Sequence, residues 1–357
     1  MEIEPIGLFG KKGVDCRHII IAGPCSAESE EQVLRSARSL ADAGVTVFRA
    51  GIWKPRTKPG CFEGVGEPGL EWLRTVKKET GLPVTTEVAN TRHTEAALRA
   101  GIDILWIGAR TAANPFAVQE IADCLRGTDI PVMVKNPVNP DLELWLGALE
   151  RLNKAGIKKM AAIHRGFSTY GEKIYRNAPH WQIPIELRRR IPGLPILCDP
   201  SHMGGKRALV RELAQQALDL NADGLFIEVH CNPDQALSDA EQQLSPSEFR
   251  EMQGMLVAHR EPDTVEGIEL NEFRKHIDEC DAALIGILGR RMRIARSIGE
   301  FKREHNLTVL QSGRYNDIVK ALDEKGLTEG ISTECLRSIF ETIHIESIRQ
   351  QLEIDKL

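Results

Sequence analysis

The sequence lacks the features that would indicate a membrane, secreted or nucleic-acid-binding protein. Its 357 residues contain no apolar run long enough to cross a bilayer, and the first residues have no hydrophobic signal-peptide core. The net charge of −5 argues against nucleic acid or an anionic membrane as the main partner. The eight cysteines include no C-x-x-C pair and no zinc-finger spacing, so we expect reduced thiols and a cytoplasmic location.

A glycine-rich dinucleotide fingerprint is also missing, and this absence bears on the fold. Eight short apolar segments alternate with helix-like segments through the first part of the chain, as expected for parallel strands covered on both faces. Eight β/α units in about 250 residues match the count and size of a TIM (β/α)8 barrel, and a doubly wound open sheet is the alternative. Without the fingerprint we predict the α/β barrel, over residues 1–260.

The β/α alternation ends at a polar segment with the sequence EPDTVEG. We interpret residues 261–268 as a linker and residues 269–357 as an all-helical domain, because no strand pattern follows. The first predicted helix runs for about 35 residues or more, and two shorter helices are expected near 314–325 and 333–354. A helix that long in a small domain predicts packing against another copy of the chain, at least as a dimer, with a tetramer through the barrels left open.

Four potential metal ligands lie at the C-terminal ends of predicted barrel strands, where TIM barrels place functional groups. Strand one leads to Cys25, strand seven to His202, strand eight to Glu228, and the following loop carries Asp239. Each alone has an ordinary structural explanation, such as core packing or solvation. Together, sulfur, nitrogen and oxygen donors predict a divalent transition metal, with manganese, zinc, iron and cobalt all compatible.

The other strand ends are cationic, although the chain as a whole is acidic. Each cation follows directly on an apolar segment, at the predicted mouth of the barrel, and arginine suits bidentate binding of phosphate and carboxylate. Solvated loop charges are the alternative explanation. We predict instead a multiply anionic substrate beside the metal, bound by Arg49, Lys54, Arg56, Lys58, Arg110, Lys135 and Arg165.

The motifs AGPCS, KPRT, GAR, DPSH and EVH…SD occur in the order and spacing of a known family. Residues 15–260 resemble the type Iβ 3-deoxy-D-arabino-heptulosonate 7-phosphate (DAHP) synthases. The resemblance implies a metal-dependent condensation of phosphoenolpyruvate with erythrose 4-phosphate, with manganese as the expected metal. It also implies that Arg49, Lys54, Arg110, Lys135 and Arg165 bind phosphoenolpyruvate, and that Arg56, Thr57 and Asp199 bind erythrose 4-phosphate.

The motif KPRT distinguishes this family from a related one. The 3-deoxy-octulosonate 8-phosphate synthases share the barrel but carry KANR at this place, and they use arabinose 5-phosphate as the aldehyde. That activity is the alternative for the barrel. For the condensation itself, Lys54 is the candidate that protonates the new alkoxide, and we expect neighbouring cations to lower its pKa.

Residues 267–355 resemble the all-helical chorismate mutases. The resemblance implies that chorismate is bound by Arg274, Arg291, Lys302, Arg314, Ser347 and Gln351. Lys302 and Gln351 are the catalytic candidates, because the rearrangement to prephenate needs donors at the ether oxygen, where negative charge grows. Arg291 and Lys302 are 11 positions apart and share a helix face, whereas Arg274 points elsewhere and is expected to reach the partner's site.

Two departures from the mutase pattern, Gln311 and Tyr315, support a different reading of the helical domain. In that alternative it is a ligand-binding and dimerisation module with little catalysis. In either case the domain is expected to bind chorismate or prephenate as a feedback ligand that slows the barrel, since no regulatory domain is recognised before strand one.

Overall fold

The structure is a computed structural model that describes residues 1–10, 19–55, 60, 62–257, 264–309 and 328–352. The chain divides into two compact units, Met1–His259 and Arg260–Leu357. Within the described residues, no helix combines the length and the apolar composition that crossing a bilayer requires.

The first unit contains a closed barrel of eight parallel strands, each paired with its neighbours in sequence order and β1 paired with β8. Every predicted strand is present, so the (β/α)8 prediction is confirmed. The strands are short and wholly or largely buried because helices cover their outer faces. They are β1 Ile19–Gly23, β2 Val47–Arg49, β3 Val84–Val88, β4 Ile104–Ile107, β5 Val132–Lys135, β6 Met160–His164, β7 Ile196–Cys198 and β8 Gly224–Glu228.

In the described part of the first unit, ten α-helices accompany these strands, and polar caps define several of their N-termini. Ser29 accepts a hydrogen bond from the Gln32 amide, Asp141 from the Leu144 amide, and Ser245 forms a reciprocal capping box with Glu248. The helices are α1 Glu30–Leu40, α2 Pro68–Thr80, α3 Thr91–Arg99, α4 Ala109–Ala112, α5 Pro115–Cys124, α6 Leu142–Lys154, α7 Gln182–Arg190, α8 Pro200–Gly204, α9 Arg207–Asp219 and α10 Pro246–Met255.

The short helices α4 and α8 were not predicted from the sequence. As a result, Arg110 and His202 lie on helices that follow β4 and β7 rather than on the strand ends themselves. Helix α8 forms because Asp199 caps it, accepting the His202 amide, and Pro200 occupies its first turn.

Alternate strand residues point to opposite sides of the barrel wall, which gives two apolar clusters. The larger cluster lies between the strands and the helices. The smaller one fills the barrel interior and is joined by Ile6 from the N-terminal segment. Its strand members are Ile21, Val47, Ile104, Trp106, Met133, Ala161, Ile163, Leu197 and Phe226.

The second unit is helical in its described residues, with α11 Thr264–Glu304 and α12 Thr333–Leu352. Helix α11 begins earlier than predicted, so residues 264–268 belong to the helix and not to the linker. Glu266 in its first turn favours helix formation through the helix dipole, and Gly267 does not interrupt the helix. The helix expected near 314–325 lies outside the described residues.

The backbone of β1 passes so close to β2 that only glycine fits at position 23. Gly23 has φ +150°, and a Cβ there would lie 2.1 Å from the Arg49 carbonyl oxygen. Gly23→Ala is expected to lower the free energy of unfolding of the barrel by about 2 kcal/mol or more. Urea unfolding followed by tryptophan fluorescence measures this, because all five tryptophans lie in the first unit.

Gly147→Ala is the matched control for this substitution. Gly147 lies inside α6, and its added Cβ would meet nothing within 4 Å. A helical glycine with free space should gain roughly 0.5–1 kcal/mol of stability on becoming alanine. Equal effects at the two positions would contradict the close approach of β1 and β2.

Candidate active site

Charged side chains form the top layer of the barrel interior. Val47, Met133 and Phe226 belong to the interior cluster, and the residues two positions later point the same way. Those residues are Arg49, Lys135 and Glu228, all buried. The period-2 geometry of the strands therefore places three ionised groups directly above an apolar core.

Arg49 lies at the centre of this layer and has a fully buried side chain. Its Nη2 donates to Glu228 Oε1 at 3.1 Å, and its guanidinium lies 4.3 Å from the Phe226 ring centroid. Nε and Nη1 are also buried, and they find no hydrogen-bond partner among the described residues. Two oriented donors are thus available for an anion in the barrel mouth.

Asp199 contacts two basic side chains, Lys135 and His202. Its Oδ2 accepts from Lys135 Nζ at 2.8 Å and lies 2.8 Å from His202 Nδ1. Burial alone would raise the pKa of Asp199, but His202 and Lys135 hold it well below its ordinary value. Asp199 is fully buried, as are Arg49 and Glu228, and its predicted contact with erythrose 4-phosphate stays a prediction.

The candidate metal ligands do converge. One donor atom each from Cys25, Glu228 and Asp239 lies within 4.8 Å of the others. His202 Nε2 lies 3.6 Å from Glu228 Oε1 and 3.9 Å from Asp239 Oδ2. Burial and the Glu228 carboxylate raise the pKa of the Cys25 thiol well above its usual range. A divalent cation would relieve this crowding of potential anions, so the donor set fits a metal.

Two residues that were not predicted from the sequence, Arg176 and Gln242, hold the carboxylates of Asp239 and Glu228. Arg176 Nη1 donates to Asp239 Oδ1 at 3.0 Å and to Gln242 Oε1 at 2.6 Å. Gln242 Nε2 in turn donates to Glu228 Oε2 at 2.7 Å. No local sequence signal indicates Arg176, since it comes from the loop after β6, 63 positions before Asp239.

Glu87 was also not predicted. Its charge within the strand-like segment PVTTEV is a feature of the sequence that could have indicated a functional residue. Its Oε2 accepts from Trp106 Nε1 at 3.1 Å. A Cβ on Gly108 would lie 2.0 Å from Glu87 Oε1, so the glycine after β4 makes room for this carboxylate.

A second group of cations lines the mouth near the end of β6. Arg165 donates from Nη1 to Asn177 Oδ1 at 2.5 Å, and burial lowers its pKa to about 10. Asp199 opposes this shift, whereas Arg176 and Arg110 add to it. The mutual repulsion of three arginines would be relieved by a bound anion. Arg110 itself is exposed at the start of α4.

Lys54 lies close to the Cys25 backbone. A Cβ built on Gly51 would be 2.7 Å from Lys54 Nζ and 2.9 Å from the Cys25 carbonyl oxygen. Burial acts to lower the pKa of Lys54, but the negative groups at Cys25 and Glu87 prevail and the pKa is raised. The prediction that neighbouring cations lower this pKa is therefore wrong, because Cys25, Glu87 and Glu228 together outweigh burial and Arg49. Arg56, Thr57 and Lys58 lie outside the described residues.

In the second unit, α11 and α12 bring two of the six predicted chorismate ligands into contact. Arg291 Nη1 donates to Ser347 Oγ, and Ser347 is buried between the helices. Gln351 lies one turn further along α12, and its buried Oε1 has no hydrogen-bond partner among the described residues. A guanidinium, a hydroxyl and an amide on facing helices can bind a carboxylate.

Of the other three chorismate candidates, the structure describes Lys302 and Arg274, and each has a partner on its own segment of the chain. Lys302 Nζ donates to the Val309 carbonyl at 2.6 Å. Arg274 is exposed and bonded to Asn271, about 25 Å along α11 from Arg291 at 1.5 Å per residue. Arg314 lies outside the described residues, as do Gln311 and Tyr315.

Family models account for both units. The model of the DAHP synthetase I family matches residues 7–261, more than half of the chain. The chain belongs to the DAHP synthetase I family. The chorismate mutase type II model matches residues 273–352, so a mutase domain follows the synthase domain in one shikimate-pathway enzyme.

Known relatives of the barrel include two kinds of aldolase. A phospho-2-dehydro-3-deoxyheptonate aldolase of Thermotoga maritima is 37% identical over 233 residues, which is 65% of this chain and 67% of that protein. A 2-dehydro-3-deoxyphosphooctonate aldolase of Azoarcus sp. (strain BH72) is 30% identical over 252 residues, 64% of this chain and 85% of that protein.

Solved structures agree with the fold. The crystal structure of the Thermotoga maritima DAHP synthase aligns with a TM-score of 0.61 at 37% identity, covering 67% of this chain and 68% of that one. A truncated form of the same synthase gives a TM-score of 0.58 at 35% identity, covering 67% and 85%.

The metal-ligand prediction can be tested on the synthase domain without any assay of activity. Asp239→Asn is expected to weaken Mn²⁺ binding, measured by calorimetry, by about 100-fold or more, because an anionic ligand is lost. Asp234→Asn is the matched control. Asp234 lies in the same loop but pairs with Arg207 at 2.5 Å on the surface, so Mn²⁺ affinity should not change. Unchanged affinity in both variants would remove Asp239 from the site.

Proposed function

We propose that the barrel condenses phosphoenolpyruvate with erythrose 4-phosphate to give DAHP and inorganic phosphate. The buried Arg49 carries this proposal, because two of its donors lack a partner among the described residues and lie beside the candidate metal ligands. Phosphoenolpyruvate carries a phosphate and a carboxylate, and the mouth offers Arg49, Lys54, Arg110, Lys135 and Arg165 to hold them.

In this reaction C3 of phosphoenolpyruvate forms a bond to the aldehyde carbon of the sugar. The aldehyde oxygen takes a proton and becomes a hydroxyl, water adds to C2, and the phosphate leaves. Lys54 is our candidate for that proton. A lysine ammonium can protonate the new alkoxide, which is a much stronger base than an amine, and Lys54 Nζ lies beside Gly51 and the Cys25 carbonyl near the candidate metal site.

Cys25, His202, Glu228 and Asp239 would hold the metal, which supplies Lewis-acid polarisation of the aldehyde oxygen. Arg176 donates a hydrogen bond to the Asp239 carboxylate, and Gln242 donates one to the Glu228 carboxylate, which holds both groups in position. Arg56 and Thr57 are proposed to bind the phosphate of erythrose 4-phosphate. Manganese is the metal we propose, with zinc, iron and cobalt as alternatives.

Arabinose 5-phosphate is a second candidate aldehyde, because the chain is also similar to 2-dehydro-3-deoxyphosphooctonate aldolases. We expect the full-length protein to consume phosphoenolpyruvate with erythrose 4-phosphate and much more slowly with arabinose 5-phosphate. Metal stripping with a chelator should abolish this turnover, and Mn²⁺ should restore it. A preference for the longer sugar would overturn the DAHP assignment, and full turnover without metal would overturn the metal site.

The same assay addresses the role of Lys54. Lys54→Met should lower turnover by about 10²- to 10⁴-fold, because the proposed acid is lost. Phosphoenolpyruvate binding, measured by calorimetry, should change less than turnover does. Near-normal turnover with intact binding would remove Lys54 from the chemistry.

We propose further that the helical unit rearranges chorismate to prephenate. Arg291 and Ser347 would bind a carboxylate, and Lys302 and Gln351 would donate to the ether oxygen. Helix α11 carries exposed apolar residues, such as Phe273, Ile277 and Ile285. This surface supports a dimer in which a second copy of the chain covers α11. In such a dimer Arg274 would serve the partner's site.

We also propose that a ligand of the helical unit inhibits the synthase activity of the barrel. Prephenate or chorismate bound at the helical unit would slow the barrel, and both ligands would use the Arg291–Ser347 pair. The alternative is that the unit binds these ligands without catalysis.

Arg291→Ala is expected to reduce chorismate consumption by at least about 100-fold, because the carboxylate loses its guanidinium. The same variant should lose inhibition of the synthase by prephenate, which we expect in the native protein. Arg290→Ala is the matched control, since Arg290 is the exposed neighbour on α11. If the native protein binds prephenate but does not consume chorismate, the unit is a binding module. If prephenate leaves the native synthase unchanged, the feedback proposal fails.

A further inference from the structure

Asp239 reaches the candidate metal site in an unusual backbone conformation. It lies in the loop after β8 with φ +50°, in the left-handed region that residues other than glycine seldom adopt. Its Oδ2 nonetheless accepts a hydrogen bond from Cys25 Sγ at 3.2 Å. Such a conformation persists where the surrounding contacts hold it. The contacts that hold this loop against the end of β1 are therefore candidates for a role at the metal site.

Gln243 supplies the first of these contacts with both ends of its side-chain amide. Its Oε1 accepts the backbone N–H of Cys25 at 2.8 Å. Its Nε2 donates to the carbonyl of Ser238, the residue before Asp239, also at 2.8 Å. One fully buried amide thus joins the backbone of one candidate metal ligand to the backbone beside another.

The backbone of Gln243 is itself fixed to the barrel. Its carbonyl accepts a hydrogen bond from Arg207 Nε at 2.7 Å. The next residue, Leu244, donates its N–H to the Glu228 carbonyl at 2.9 Å and forms a parallel bridge with Val229. A buried side chain on a fixed backbone has little freedom to move, so Gln243 can hold its two partners at a set distance.

Ser26 supplies a second contact between the same two segments. Its Oγ is hydrogen-bonded to Ser238 Oγ, and both side chains are buried. Each of these serines is a direct neighbour of a candidate metal ligand in the sequence. Further along the loop, the Leu237 N–H donates to Glu28 Oε1 at 2.8 Å. The loop after β8 is therefore tied to the segment after β1 at three places.

We propose that Gln243 and Ser26 are positioning residues of the candidate metal site, which set its metal affinity by holding Cys25 and Asp239 together. The inference rests on the proposed metal-dependent function of the barrel. Neither residue touches the metal in this proposal, since the Gln243 amide and the Ser26 hydroxyl are occupied by the protein itself. Residues that orient metal ligands in this way typically contribute about 10- to 100-fold to metal affinity.

Gln243→Met tests this role, because methionine has a similar length but replaces neither hydrogen bond. Calorimetry on the full-length protein should show Mn²⁺ affinity weakened by about 10- to 100-fold. Gln253→Met is the matched control. Gln253 Nε2 donates to the Ala43 carbonyl at 3.1 Å, between α1 and β2 at the opposite end of the barrel. Mn²⁺ affinity should not change in this control.

Ser26→Ala is a milder variant that tests the second contact and remains informative if Gln243→Met does not fold. Loss of one hydrogen bond should weaken Mn²⁺ binding by about 3- to 10-fold. Ser39→Ala is its control, since Ser39 Oγ donates to the Ser36 carbonyl at 2.7 Å within α1, and Mn²⁺ affinity should stay the same.

A double variant separates positioning from a general loss of stability. If Gln243 acts through Asp239, its side chain should matter less once that carboxylate is gone. The variant carrying both Gln243→Met and Asp239→Asn should therefore bind Mn²⁺ at least about threefold more tightly than the product of the two single losses predicts. A general loss of stability would give the full product, because it does not depend on the carboxylate.

Each result has a separate consequence. Unchanged Mn²⁺ affinity in a folded Gln243→Met or Ser26→Ala variant would remove that residue from the positioning role, while binding by the native protein would leave the metal site intact. Equal weakening in a control variant, or a full product in the double variant, would also overturn the proposal. A native protein that binds no Mn²⁺ would contradict the metal site of the proposed function, and this inference with it.

Discussion

The buried ion pair between Arg49 and Glu228 is the interaction on which the rest of the barrel mouth depends. The pair lies on the Phe226 ring, at the ends of β2 and β8, on either side of β1. Losing one partner of such a pair leaves an uncompensated buried charge, which costs about 3–5 kcal/mol. The pair therefore constrains both strands and fixes Glu228, the residue that also faces His202 and Gln242.

From this pair, alternating charges extend across the mouth of the barrel. Asp199 separates Lys135 from His202, and Arg176 supports Asp239. Arg49, Lys135 and Arg176 thus have acidic partners before any ligand binds, and this attraction offsets part of the desolvation cost of burying so many ions. Among the described residues, the unpaired donors of Arg49 are what remains for an anionic substrate.

The two units suit different chemistry for physical reasons. The barrel presents ionised groups on rigid strand ends, where several charges can be held close together around the proposed metal and the proposed phosphorylated substrates. The helical unit offers fewer groups, spaced by helical turns on α11 and α12. A rearrangement that requires binding and donor placement, with no nucleophile, fits that simpler arrangement.

The sequence by itself determined the eight strands, because short runs that are apolar on both faces have few other stable arrangements. It also indicated Cys25, Glu228 and Asp239, since chemistry at strand ends converges in a barrel. The tertiary structure alone decided which charges meet. The contact of Arg176 with Asp239, the burial of Asp199 beneath His202, and the raised pKa of Lys54 all depend on pairs distant in sequence. No local pattern encodes such pairs, because their distances are set by how the strands close and how the loops cross the mouth.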